Sequence, residues 1–151
     1  MVKEILAKKG PFVASVGRDK TVLDAAREMN ARRIGALVVT DGDSVVGIIT
    51  ERDIMTKVVA VQRDPGQSRV GEVMTSPVAC CRPDTTLAEC REVMTTRRIR
   101  HLPVVEQGRL VGIITSGDIL ARTVYEQQEK IDDLERSIEY LHRYIYECEY
   151  S

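Results

Sequence analysis

The stretch Gly47-Ile48-Ile49-Thr50-Glu51-Arg52-Asp53 returns as Gly112-Ile113-Ile114-Thr115-Ser116-Gly117-Asp118, an offset of 65 residues. The same offset places Thr21 on Thr86, Met29 on Met94, Arg32-Arg33-Ile34 on Arg97-Arg98-Ile99, Leu37 on Leu102 and Val39 on Val104. An ungapped internal repeat of this length marks duplication of a supersecondary unit. The chain therefore reads as two similar halves, each carrying one Gly-x-x-Thr-x-x-Asp turn.

Working back from the first turn, Val45-Val46-Gly47-Ile48-Ile49 and Ala36-Leu37-Val38-Val39-Thr40 are β-rich runs on either side of Asp41-Gly42-Asp43-Ser44. An Asp-Gly turn between two apolar runs predicts a hairpin. Before it, Thr21-Val22-Leu23-Asp24 has the Thr-x-x-Asp form of a capping box. The helix it opens places Val22, Ala25, Ala26 and Met29 on one face. Phe12 to Val16 is a short strand candidate, and Val2 to Lys9 a short amphipathic helix stopped by Gly10-Pro11. Forward from the turn, a helix runs from about Glu51 to Val61. After a polar linker with a Pro65-Gly66 turn, the second half predicts a strand at Val78–Cys81 and a helix over Thr86–Arg98. Strands at Leu102–Val105 and Leu110–Ile114 then lead to a helix from about Ser116. The fold class is α/β of the α+β type: two β-α-β-β-α repeats packed with pseudo-two-fold symmetry. One half, of about 55 residues, is marginal alone, so the two are expected to share a core.

The last helix continues past the second repeat. Val124, Ile131, Leu134, Ile138, Leu141, Ile145 and Cys148 are spaced by seven and then by three and four alternately. That is an a/d seam, with charged residues at most other positions. Two readings stay open, a tail lying on its own domain and a seam for self-association. Tyr140, Tyr144, Tyr146 and Tyr150 thicken the surface near its end. The expected organisation is 1–62 for the first repeat with its N-terminal helix, 63–69 for the linker, 70–122 for the second repeat and 123–151 for the C-terminal amphipathic helix.

Composition bounds the function classes. Apolar residues make up 43% and charged residues 30% of 151, with a net charge of −1. That suits a globular protein and gives no basic footprint for nucleic acid. The apolar runs fall far short of the roughly 18 residues of a membrane span. Cys80, Cys81, Cys90 and Cys148 form no Cys-x-x-Cys pattern and only His101 and His142 could join them, so no metal site is expected. A cytoplasmic location with reduced thiols follows.

The repeated turn has two readings. In the structural one, Thr50 caps the helix beginning at Glu51, Asp53 reaches back as its capping-box partner, and Gly47 allows close packing. In the functional one, the helix N-terminus and the Thr hydroxyl favour a phosphate, while the carboxylate accepts from a ribose diol. No nucleophile–base pair or paired carboxylates accompany the turn, so it is not arranged for catalysis.

At this point the sequence resembles a tandem pair of cystathionine β-synthase (CBS) domains, the Bateman module, as found in small stand-alone bacterial CBS-pair proteins. The resemblance rests on the two Gly-Ile-Ile-Thr-x-x-Asp turns, on Arg33-Ile-Gly-Ala-Leu-Val-Val39 and Arg98-Ile-Arg-His-Leu-Pro-Val104, and on Val70-Gly-Glu-Val-Met74-Thr-Ser-Pro77. It implies a non-catalytic regulatory module that binds an adenosine nucleotide (AMP, ADP, ATP, NAD or S-adenosylmethionine) between the repeats and signals by conformational change. It also implies that Asp53 and Asp118 hold riboses, with Thr50 and Thr115 at the ribose-phosphate end. Arg52, Arg100 and His101 would face phosphate, and Ile34, Gly35, Ala36 and Ile99 would line the clefts. Gly117 replaces Arg52 in the second half, so the clefts are expected to differ. A homodimer is implied, with a partner enzyme as the regulated target. The alternatives are a ligand-free dimerisation scaffold and a detached regulatory subunit docking through the last helix.

Overall fold

The structure is a computed structural model that describes residues 1–149, with side-chain surroundings given as far as residue 147. Tyr150, assigned to the tail surface, and the side chain of Cys148, assigned to the seam, lie outside the described residues. The chain divides into two compact units, Met1–Ser116 and Gly117–Ser151.

In the first unit the order is α1 (Val2–Lys9), β1 (Ser15–Gly17), α2 (Val22–Arg32), β2 (Ala36–Asp41), β3 (Ser44–Thr50) and α3 (Glu51–Ile54). A π-helical turn, Met55–Val59, extends α3. The second half follows with α4 (Val70–Val73), α5 (Leu87–Arg97), β4 (His101–Glu106) and β5 (Arg109–Thr115). β1 pairs in parallel with β2, and β2 with β3 antiparallel. β4 and β5 form the second hairpin. The duplication is visible in detail. Both hairpins carry an irregularity at the same place, Val39/Thr40 and Val104/Val105. Both first helices open on a capping box, Thr21 with Asp24 and Thr86 with Glu89, and both end on a left-handed arginine, Arg33 and Arg98. The fold class expected from the sequence is the one observed, a mixed α/β pair of repeats followed by a helix.

Two strand expectations shift. Phe12–Val16 becomes Ser15–Gly17, and Phe12 instead stays 62% exposed, with the Arg32 guanidinium 4.3 Å from its ring centroid. Val78–Cys81 reduces to one parallel bridge, Cys81 to Val104, at the register position of Val16 and Val39. The flanking Pro77 and Pro83 have no N–H to extend that ladder.

The halves interlock. α4 opens the second half in sequence, yet Val70 and Val73 are buried in one cluster with Val22, Ala25, Met29, Leu37, Val39, Ile49 and Val58 of the first. Val70 N donates to Lys20 O (2.8 Å), Gly71 N to Arg18 O (2.9 Å), and Thr75 exchanges backbone bonds with Ile48. Reciprocally, α1 of the first half bonds to the second through Val2 N to Thr85 O (3.0 Å) and Lys3 N to Pro83 O (2.9 Å), and it packs on β5. The equivalent strands β3 and β5 also lie against each other. Each half thus completes its core with the helix that precedes the other, which a unit too small to close its own core requires.

The two repeated glycines mark these crossings. A Cβ on Gly47 would stand 2.7 Å from Met74 Sδ and 2.9 Å from Thr75 O, and one on Gly112 would overlap Leu6 Cδ2. At Gly47 the backbone oxygen of Thr75 leaves no room for a side chain, whereas at Gly112 the clash is with the movable end of Leu6.

The second unit is α6, which begins at Ser116 and runs to Glu149 as one 34-residue helix. Among the described residues no helix is long and apolar enough to cross a membrane.

Candidate functional site

β3 delivers Thr50 to the start of α3 in an extended conformation, and its side chain accepts from Asp53 N (3.2 Å). Asp53 Oδ2 accepts in return from Thr50 N (3.0 Å) and from Thr50 Oγ1 (3.2 Å). The capping box is complete. Asp53 nevertheless does more than a cap requires. Its Oδ1 lies 2.9 Å from Lys57 Nζ, one turn further on, and accepts from Thr75 Oγ1 at 3.0 Å. Lys57 Nζ also donates to Val73 O (3.1 Å). Asp53 is 6% exposed, whereas Lys57 and Thr75 are exposed. A buried carboxylate of the first half is thus closed over by a hydroxyl and an ammonium, and the hydroxyl comes from the segment that opens the second half.

The capping reading of the turn is the one this geometry shows. The capping role exists, and two of the donors that a ligand would need are used internally: Glu51 N bonds Gly35 O (3.0 Å) and Asp53 N bonds Thr50. Thr75 Oγ1 and Lys57 Nζ are the donors on the exposed side of Asp53. Arg52 is exposed on α3 beside the turn, and its carbonyl accepts from Thr56 Oγ1 (2.8 Å). Gly35 is partly buried beneath the Glu51 carboxylate, Ala36 is buried at the start of β2, and Ile34 is half-buried.

In the second half Ser116 N bonds Arg100 O (2.9 Å), matching Glu51 and Gly35 at the same offset. Arg100 is exposed, while Ile99, His101 and Thr115 are partly buried, with His101 opening β4. Asp118 lies in the first turn of α6 and is partly buried. The position equivalent to Lys57 is Arg122, whose guanidinium bonds Glu126 (3.0 Å). The position equivalent to Thr75 is Gly10, which has no hydroxyl. The halves therefore differ at the very group that closes over Asp53.

Two open grooves lie elsewhere. One of about 500 Å³ is lined by Ile34, Glu51, Ile54, Met55 and Val59 with residues of α2. The other, of about 530 Å³, lies at the far end of the sheet, between Gly17–Thr21, Thr40–Gly42 and Arg69. Of the candidate ligand-site residues read from the sequence, only Ile34 lines either.

Sequence reasoning missed Lys57 and Thr75. A basic residue four positions after a carboxylate on a helix is a signal for the first. Thr75 had none, since 22 residues separate it from Asp53. Among the described residues no three His, Cys, Asp or Glu side chains gather into a metal site. Cys81 is buried, and burial pushes its thiol up to about 12, which keeps it protonated.

Comparison with known proteins places this geometry in a family. The CBS domain profile matches residues 2–60 and 70–124. The chain is 33% identical over 126 residues to the mitochondrial CBS domain-containing protein CBSX3 of Arabidopsis thaliana, covering 80% of this chain and 61% of that protein. The solved structure of the CBS-domain containing protein ATU1752 from Agrobacterium tumefaciens superposes with a TM-score of 0.74 at 45% identity, over 80% of this chain and 90% of that one. The CBS domain protein PAE2072 from Pyrobaculum aerophilum, solved in complex with AMP, superposes with a TM-score of 0.70 at 28% identity, over 78% and 88% of the respective chains. With its two matched repeats and their interlocked halves, the chain belongs to the CBS-domain family.

Proposed function

We propose that this chain is a non-catalytic regulatory module, a Bateman module that binds an adenosine nucleotide between its CBS repeats and signals through their packing. The observation that carries the reading is the buried Asp53 carboxylate, held by donors of both halves. Ribose hydroxyls replace Thr75 Oγ1 and Lys57 Nζ there, so binding is exchanged against a tie between the halves. A ligand shifts a conformational equilibrium only by its different affinity for the two states, and this exchange supplies that difference. Asp118 and Thr115 are the corresponding residues of the second repeat and take the same roles there. The released Lys57 ammonium is available to phosphate, as are Arg52 of the first repeat and Arg100 and His101 of the second. The AMP bound by PAE2072 supports an adenosine ligand.

The module acts as a homodimer. Met55 and Val59 are exposed apolar residues of the first repeat, and Leu120 and Val124 recur at the same offset in the second. A regulated enzyme is the expected partner, and the unpaired thiols of Cys80, Cys81 and Cys90 fit a cytoplasmic setting.

The test is a melting-temperature screen with AMP, ADP, ATP, NAD and S-adenosylmethionine, with GMP as control, on protein stripped of co-purified nucleotide. Ligand at a hundredfold excess over Kd stabilises by about 2.7 kcal/mol. For a chain of this size that raises Tm by roughly 5–10 °C. Asp53→Asn and Asp118→Asn each remove part of the shift and together abolish it. A flat screen, or full affinity in the double variant, overturns the reading.

A further inference from the structure

The α6 seam carries more information than its period. In heptad positions, Val124, Ile131, Ile138 and Ile145 are a residues, and Leu134 and Leu141 are d residues. From Ile131 to Ile145 these side chains are 48–63% exposed. Apolar side chains aligned on one face and left in solvent are the condition that a second helix relieves, since dehydrating them is favourable in proportion to area. The distribution selects the kind of pair. β-branched residues at a with leucine at d pack as parallel two-stranded coils, because the two layers present differently oriented holes to the knobs.

The charges agree. In a parallel pair each g residue faces the e residue of the following heptad on the other chain. Here g is Lys130 and the following e is Glu135, so two symmetric opposite-charge contacts form across the seam. The helix also carries pairs of its own: Gln128 with Asp132 at 2.9 Å, and, on its outer face, Arg136 with Asp133 at 3.3 Å.

We infer that α6 is a parallel, in-register two-stranded coiled coil formed with the α6 of a second copy of this chain. The occupant of the seam is this chain itself, and the coil fixes the orientation of the two copies. The inference deepens the homodimer reading above by naming the element and its direction, and it is independent of the nucleotide.

The experiment is disulfide trapping in the full chain, in a background of Cys80→Ser and Cys148→Ser. Leu134→Cys at d places two thiols across the axis at a bridgeable separation of less than about 7 Å between Cα atoms. Mild oxidation is expected to convert most of the protein to a covalent dimer, with the bond mapped by mass spectrometry to residue 134 of both chains. Arg136→Cys, on the outer face, stays uncrosslinked. Sedimentation of the reduced proteins is read alongside. A dimer that sediments intact but gives no bond at 134 overturns the coil and leaves the homodimer standing; a monomer overturns both. Crosslinking between Leu134→Cys and Ile145→Cys chains, in place of 134 to 134, shows an antiparallel pair and overturns the orientation. Ile138→Glu is expected to lose the tail contact while keeping any nucleotide-induced rise in melting temperature.

Discussion

The bond from Thr75 to Asp53 joins residues that are far apart in sequence and belong to different repeats, so removing it tests both the fold and the proposed signal. Thr75→Val keeps the shape of the side chain and deletes the hydroxyl that lies 3.0 Å from Oδ1 and 3.3 Å from Oδ2. A hydrogen bond to a charged group contributes about 1.5–3 kcal/mol. Thr75 is exposed, and Asp53 keeps Thr50 and Lys57, so the lower end applies, about 1.5 kcal/mol. That lowers Tm by roughly 3–6 °C in a chain of this length. Asp53→Ala removes the same bond together with the cap and the Lys57 pair, and is expected to cost about 3 kcal/mol. The double variant then falls short of the sum by about 1.5 kcal/mol, because one bond has been counted twice. Urea melts of the four proteins measure this coupling through their midpoints at constant slope. A coupling within about 0.5 kcal/mol of zero would refute the contact, since independent sites add to that precision. Repeated at saturating AMP, the same cycle loses its coupling where ribose hydroxyls have taken the place of Thr75.

Two further outcomes follow from the geometry. Gly47→Ala drives a methyl against Met74 Sδ and the backbone oxygen of Thr75, which cannot yield, and costs about 1–3 kcal/mol. Gly112→Ala meets only the flexible end of Leu6, so its melting temperature falls less; equal losses would contradict the exchanged packing. Acid titration reads the two capping boxes. The Thr21 hydrogen bonds hold Asp24 below its ordinary 3.8, and those of Thr86 hold Glu89 below 4.5. A folded-state value below the unfolded one gives stability that is present above the ordinary value and lost as pH falls through the folded one. Melting temperature is therefore flat near neutrality and declines below about pH 4.5. Asp24→Asn with Glu89→Gln makes that decline shallower, and an unchanged slope in this double variant would exclude the caps as its source.

The sequence by itself determined the local elements, because each depends on neighbours within a few residues. Thr21 with Asp24, Thr50 with Asp53 and Thr86 with Glu89 specify caps three residues long, and Asp41-Gly42 specifies a turn. The constant offset of 65 carried that reading from one half to the other, and it made the repeat family legible in a single chain. The seam of α6 was legible for the same reason, as spacing along one helix. Tertiary structure decided what the sequence spacing cannot encode, namely which half each lead-in helix completes. α1 and α4 are short segments with no internal mark of their partner, and each buries its apolar residues, Val2 and Ile5 or Val70 and Val73, across the chain. That exchange brings Met74 and Thr75 onto Gly47 and sets the Thr75 hydroxyl on Asp53, while Leu6 is the side chain that meets Gly112. Two glycines at the same place in the repeat acquire unlike surroundings because the segments that reach them, Met74-Thr75 and Leu6, are unlike.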